Sequence, residues 1–185
     1  MGRLGMLEIM IPGMEYYDEE KNEFLYHHEQ LLQLEHSLVS ISKWEAKWCK
    51  PFLDGKSKSP EEIMDYVRCM TKTPNVESEV YDRLTERNLI DINSYIESPM
   101  TATTFSDTGK SSPNREIITS ELIYYWMVAY NIPFECQDWH LNRLLTLVRV
   151  CNVKNSPPKK MSKQELMNRN RELNKARRQQ LNSTG

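Results

Sequence analysis

Three stretches of the sequence hold side chains able to do chemistry: His27-His28-Glu29 with His36 downstream, Trp139-His140, and the separated carboxylates Glu121 and Glu135. A metal site needs three or four ligands converging on one point. Neighbouring residues on a strand point to opposite faces, so His27 and His28 do not readily share an ion. His140 could act as a general base, yet no serine or cysteine nucleophile is placed for it by motif. A polar histidine near a helix end is the reading its context favours. Glu121 and Glu135 would form an acid–base pair only if the fold joined them; capping and solubility account for both. Cys49, Cys69, Cys136 and Cys151 form no C-x-x-C pair. That argues against a zinc knuckle or a thioredoxin-like motif and suits small, half-buried hydrophobes. With only six glycines in 185 residues, neither G-x-G-x-x-G nor G-x-x-x-x-G-K-[ST] can be written, which removes two large nucleotide-binding classes. The expectation is a chain that is not an enzyme and carries no cofactor or metal.

The elements that position these residues follow from periodicity. Residues 6–11 (MLEIMI) are apolar and end at Pro12-Gly13, a turn signal. Glu23 to His28 can pair back on them, so residues 1–34 are expected to form a small β-hairpin region. From Ser37 the spacing becomes helical, with Leu38, Ile41, Trp44 and Trp48 one turn apart along a face. Ser59, Pro60 and Glu62 supply N-cap, first-turn proline and capping-box partner for a second helix. Shorter helices are expected at Glu77–Arg87 and Leu89–Ile96, then a mobile loop over 97–115. A helix from Leu122 to Tyr130 and another through Leu141, Leu144, Leu145, Val148 and Cys151, capped by Gln137 or Asp138, complete a helical body over 35–155. The fold class expected is mainly α (α+β): a helical bundle with a small N-terminal β-hairpin and a basic C-terminal helix.

The net charge of −2 conceals a division. Residues 154–185 hold nine Lys and Arg against Glu165 and Glu172, a net of +7, which leaves −9 for residues 1–153. Pro157-Pro158 marks the start of a basic amphipathic tail over 156–185, where Ser162 and Glu165 form a capping box and Met161, Leu166, Leu173 and Leu181 give a thin apolar line. A helix with so little to bury needs a partner or frays. Nucleic acid, an acidic protein and self-association of tail on body all fit its charge. The tail lacks the interleaved aromatics of a stacking platform, so nucleic acid is disfavoured.

Trp44, Trp48, Tyr124, Tyr125, Trp126, Tyr130 and Trp139 fit a core, with partner anchoring as the sharper alternative. Trp44, Trp48, Trp139, Lys159, Lys160, Leu166, Arg169, Leu173, Arg177 and Arg178 are the candidate partner-binding residues. No stretch approaches the roughly 20 apolar residues that span a bilayer. The start of the chain lacks a signal-like apolar region, so a cytosolic protein without a membrane partner is expected.

Residues 34–45 (LEHSLVSISKWE), 119–127 (TSELIYYWM) and 139–147 (WHLNRLLTL) together resemble tail assembly chaperones from the tail-morphogenesis region of tailed bacteriophages. The resemblance spans most of the chain and brings no catalytic motif. It implies a factor of the host cytoplasm that binds the tape-measure protein, keeps it soluble, helps recruit tail-tube subunits and leaves the finished particle. The alternatives are a permanent virion or head–tail component, and a nucleic-acid-binding regulator acting through the basic tail.

Overall fold

Strand β1 (Leu7–Ile11) turns Leu7, Ile9 and Ile11 inward and Glu8 and Met10 outward, the period-two pattern of a half-buried strand. The computed structural model describes residues 5–18, 22–105, 117–156 and 163–181. They divide into two compact units, residues 1–152 and 153–185.

β1 pairs antiparallel with β4 (Gln30–Leu34), Ile9 opposite Leu32 and Leu7 opposite Leu34. Between them lies a second ribbon, β2 (Met14–Asp18) against β3 (Glu23–His27). This corrects the pairing expected from sequence. Residues 23–27 do not return onto β1 but pair with 14–18, whose Tyr16 and Tyr17 are good strand formers. Asn22, at φ 55, takes the left-handed conformation asparagine tolerates at a turn and accepts a 2.5 Å bond from Tyr17 Oη. Pro12-Gly13 is accordingly a break within a long hairpin and not its turn.

The remaining elements are α1 (Leu38–Trp48), α2 (Pro60–Met70), α3 (Ser78–Asp82), α4 (Glu86–Glu97), α5 (Ser120–Ala129), a 3-10 turn (Phe134–Asp138), α6 (Leu141–Asn155) and α7 (Lys163–Leu181). The chain is mainly α with a β-hairpin at the N-terminus, as its periodicities indicate. Capping chemistry fixes the starts. Ser37 and Ser40 cap each other's backbone at α1, Ser59 and Glu62 do so at α2, and Thr85 and Asn88 at α4. Thr119 caps α5. α6 departs from expectation: Asp138 ends the 3-10 turn, and the His140 imidazole Nδ1 accepts the Asn142 N–H at 3.3 Å instead. Residues 106–115 of the expected loop, Pro157-Pro158, Met161 and Ser162 lie outside the described residues.

One side of the hairpin is the floor of the core. Ile11, Leu32, Leu34, Leu38, Ile41, Met70, Ile123, Met127, Leu141 and Leu144 are fully enclosed with it, each contributing on the order of 1.5–3 kcal/mol by leaving water. Residues 33–37 stitch the parts together. Lys72 N–H donates to Gln33 O at 2.8 Å, Glu35 N–H to Met70 O at 2.9 Å, and Leu141 N–H to His36 O at 2.7 Å. Buried Glu45 adds a tie across α1, accepting Phe52 N–H at 2.7 Å and the first N–H of α5, from Ser120, at 2.8 Å.

Candidate functional site: a polar cluster, two indoles, a helix and a ribbon

Of the residues with chemical potential, His36 and His140 meet in one cluster with Glu35, Tyr66 and Tyr95, while His27, His28, Glu29, Glu121 and Glu135 lie elsewhere. His36 Nδ1 lies 2.6 Å from Tyr66 Oη, and the His36 ring meets that of His140 edge-on at 5.0 Å. His140 Nε2 is 3.0 Å from Tyr95 O. A carbonyl only accepts, so Nε2 carries the proton and Nδ1 is free to accept from Asn142 N–H, which assigns the neutral ring with its proton on Nε2. Tyr95 Oη donates to Glu35 Oε1 at 2.7 Å. Burial, reinforced by the neighbouring histidine, pushes His36 down to about 3. Burial lowers His140 too, against its bond to Tyr95 O. Burial raises Glu35, opposed by the Tyr95 hydroxyl. Each group thus has a structural partner, and both histidines favour the uncharged form.

Beside this cluster, Glu35, Lys72, Asp138, Trp139, His140 and Arg143 line a cleft of about 720 Å³. Its charges are already engaged: Lys72 Nζ bonds Asp138 Oδ1 at 2.8 Å, and the Arg143 guanidinium sits 4.1 Å over the Trp139 ring. Glu121 stays at the start of α5, its carboxyl lowered by local backbone and side-chain hydrogen bonds. Among the described residues no three His, Cys, Asp or Glu side chains are grouped to hold a metal ion.

The candidate indoles separate. Trp44 is 1% exposed, with its Nε1–H donating to Glu62 O at 2.8 Å. It is a core residue, so no partner reaches it without unfolding α1 from α2. Trp48 stacks on it at 6.1 Å and is half-buried, its Nε1–H donating to Asp65 Oδ2 at 2.9 Å. Asp65 also takes Lys47 Nζ. Burial opposes its ionisation, and the Lys47 and Trp48 bonds outweigh burial and hold its carboxyl low. Trp139 is partly exposed beneath Arg143.

In the second unit, every described side chain of α7 is exposed, including Leu166, Met167, Arg169, Leu173, Arg177, Arg178 and Leu181. Lys159 and Lys160 lie outside the described residues. No helix among the described residues is long and apolar enough to cross a membrane.

Sequence reasoning missed the β2–β3 ribbon. Tyr17 packs on Phe24 across the strands at 5.1 Å, and Tyr16 stacks on His27 at 5.3 Å. Phe24 and Tyr26 are nevertheless 58% and 64% exposed. The ribbon is held where it leaves the body: Arg83, just after α3, donates from Nη1 to Pro12 O at 2.9 Å and His28 O at 3.2 Å. Gly13 has no room for a side chain, since a Cβ there would lie 2.9 Å from His27 O. The available signal was the density of aromatics in 16–26.

No protein-family model, curated protein or solved structure matches this chain.

Proposed function

We propose that this protein is a tail assembly chaperone of a tailed bacteriophage, working in the host cytoplasm to bind the tape-measure protein, keep it soluble and help recruit tail-tube subunits. The observation that carries the reading is α7: a 19-residue helix whose described side chains are all exposed and which displays an apolar line of Leu166, Leu173 and Leu181 among basic residues. An isolated helix of this kind gains little by folding alone. Laid into the groove of a helical client, the line supplies anchors at helical spacing. The buried cluster supports the same reading from the other side, because its titratable groups are bonded to one another and to backbone in ways that stabilise the fold.

The deciding experiment is affinity capture of the tagged full chain from infected cells, with mass spectrometry of purified virions alongside. Co-purification of the tape-measure protein, and absence of the chain from virions, is the expected pair of results. Presence of the chain in virions would make it a permanent component, and capture without a tape-measure protein would overturn the proposal. The basic residues of α7 sustain one competing reading, a nucleic-acid-binding regulator. It requires a DNA affinity that falls steeply with salt and disappears on removal of residues 156–185.

A further inference from the structure

We propose that the β2–β3 ribbon is a second docking surface, and that its occupant is a basic segment of the client: a Lys/Arg-rich stretch of polypeptide carrying apolar side chains. The existence of a client rests on the chaperone reading; the location and charge of its seat do not.

Both faces of the ribbon carry large apolar side chains among their charged ones. Alternation puts Tyr17, Phe24 and Tyr26 on one side and Met14, Tyr16 and Leu25 on the other. Clustered exposed aromatics of this kind mark interaction sites. Its edges are open as well. Among the described residues no further backbone hydrogen bond reaches β2 or β3, whereas β4 is bonded to residues 70–72. An extended segment can therefore add to the ribbon as a strand while its side chains contact the aromatic faces.

The ribbon is also held out deliberately. Arg83 grips both strands at the break, and Gly13 allows them to approach there. A stray unfinished hairpin would need neither. Two-stranded ribbons are marginal alone, so this anchoring keeps the surface presented in one direction.

Charge chooses the occupant. Residues 14–18 and 22–29 contain four Asp and Glu and no Lys or Arg, a net of −4. Tyr26 lies opposite Glu15 across the strands, and its hydroxyl's bond to that carboxylate, together with the carboxylate's charge, raises the phenol's pKa. Pairing two copies ribbon to ribbon would set these carboxylates against their own kind, which is how natural edges avoid self-association. A basic segment meets attraction instead and is guided to its register.

The test uses the full chain, folded state being checked by circular dichroism. Phe24→Ser/Tyr26→Ser removes the aromatic face, Glu15→Lys/Glu23→Lys cancels most of the ribbon's negative charge, and Glu97→Lys/Glu135→Lys makes the same net-charge change at exposed sites elsewhere. Two probes are used: the tape-measure protein in co-expression, and a synthetic peptide alternating Lys and Leu with its Glu/Leu counterpart as control. Both ribbon variants should bind the Lys/Leu peptide about tenfold more weakly, while the control variant matches the parent. Equal loss in the control variant, or equal binding of the two peptides by the parent, overturns the ribbon as a basic-segment site. So does a change in oligomeric mass of the ribbon variants without loss of peptide, which would assign the surface to a second copy. If the parent binds the peptide through the ribbon but captures no tape-measure protein, the chaperone reading fails and the ribbon site stands. If the parent retains the tape-measure protein and the ribbon variants retain it equally, the ribbon proposal fails and the chaperone reading stands.

Discussion

The imidazoles of His36 and His140 meet edge to face with centres 5.0 Å apart, both ring systems buried. Below about pH 6.5 an unfolded histidine takes up a proton, while His36 in the fold resists protonation down to about 3. The unfolded chain thus binds more protons across that window, so stability falls as the pH falls, by up to about 1.4 kcal/mol per pH unit for this one residue. His140, also lowered, adds in the same direction. Glu35 has the opposite sign: its raised folded value favours folding at low pH, and that contribution is lost as pH rises through it. Thermal unfolding should give a Tm clearly lower at pH 5 than at pH 7. His36→Phe should flatten that dependence, and an unchanged slope would remove the histidine pair as its cause.

Trp44 and Trp48 stack on one another but should respond differently to substitution. Trp44→Ala opens a cavity at the meeting of α1 and α2 and should cost about 3–5 kcal/mol in urea unfolding. Trp48→Phe keeps most of the packing and loses the bond to Asp65, a cost of about 1.5 kcal/mol. Similar losses in both would mean that Trp48 is as enclosed as its neighbour.

At the break in the hairpin, Gly13→Ala forces a methyl group against the His27 carbonyl. A clash with backbone does not relax by a rotamer change, so about 1–3 kcal/mol is expected in thermal or denaturant unfolding. Arg83→Ala should leave the helical body intact while making the ribbon the first site of limited proteolysis, because both carbonyl anchors are lost. Cleavage first in α1 or α2 would contradict this.

On α7, Leu166→Asp/Leu173→Asp changes only exposed positions. The unfolding midpoint of the first unit should shift by less than about 0.5 kcal/mol. Retention of the tape-measure protein should drop about tenfold or more. Full retention would mean that the apolar line of α7 is not an anchor.

Much of this architecture was readable from local chemistry. Ser59, Pro60 and Glu62 announce α2, because a cap is decided within four residues. The hairpin register was not readable: Glu23–His27 and Gln30–Leu34 are both short apolar-bearing runs, and only the core tells which one β1 prefers. Arg83 was invisible for a related reason. Its acceptors are backbone carbonyls 71 and 55 positions away, which leave no trace in residue identity. Trp44 and Trp48 share a spacing, yet burial separates them, since the helix pattern gives the face and not its depth. The start of α6 was misplaced because a histidine took the capping role that Gln137 or Asp138 seemed to offer.

The stitching at residues 33–37 sets an order of events during synthesis. His36 O receives its partner from Leu141, and Ser37 forms a bridge with His140, at the far end of the first unit. Contacts so distant along the chain raise the loop-closure entropy of folding and slow it. A nascent chain that has not yet released α6 from the ribosome leaves the floor of its core open. The first unit therefore completes itself only after nearly all of it has emerged.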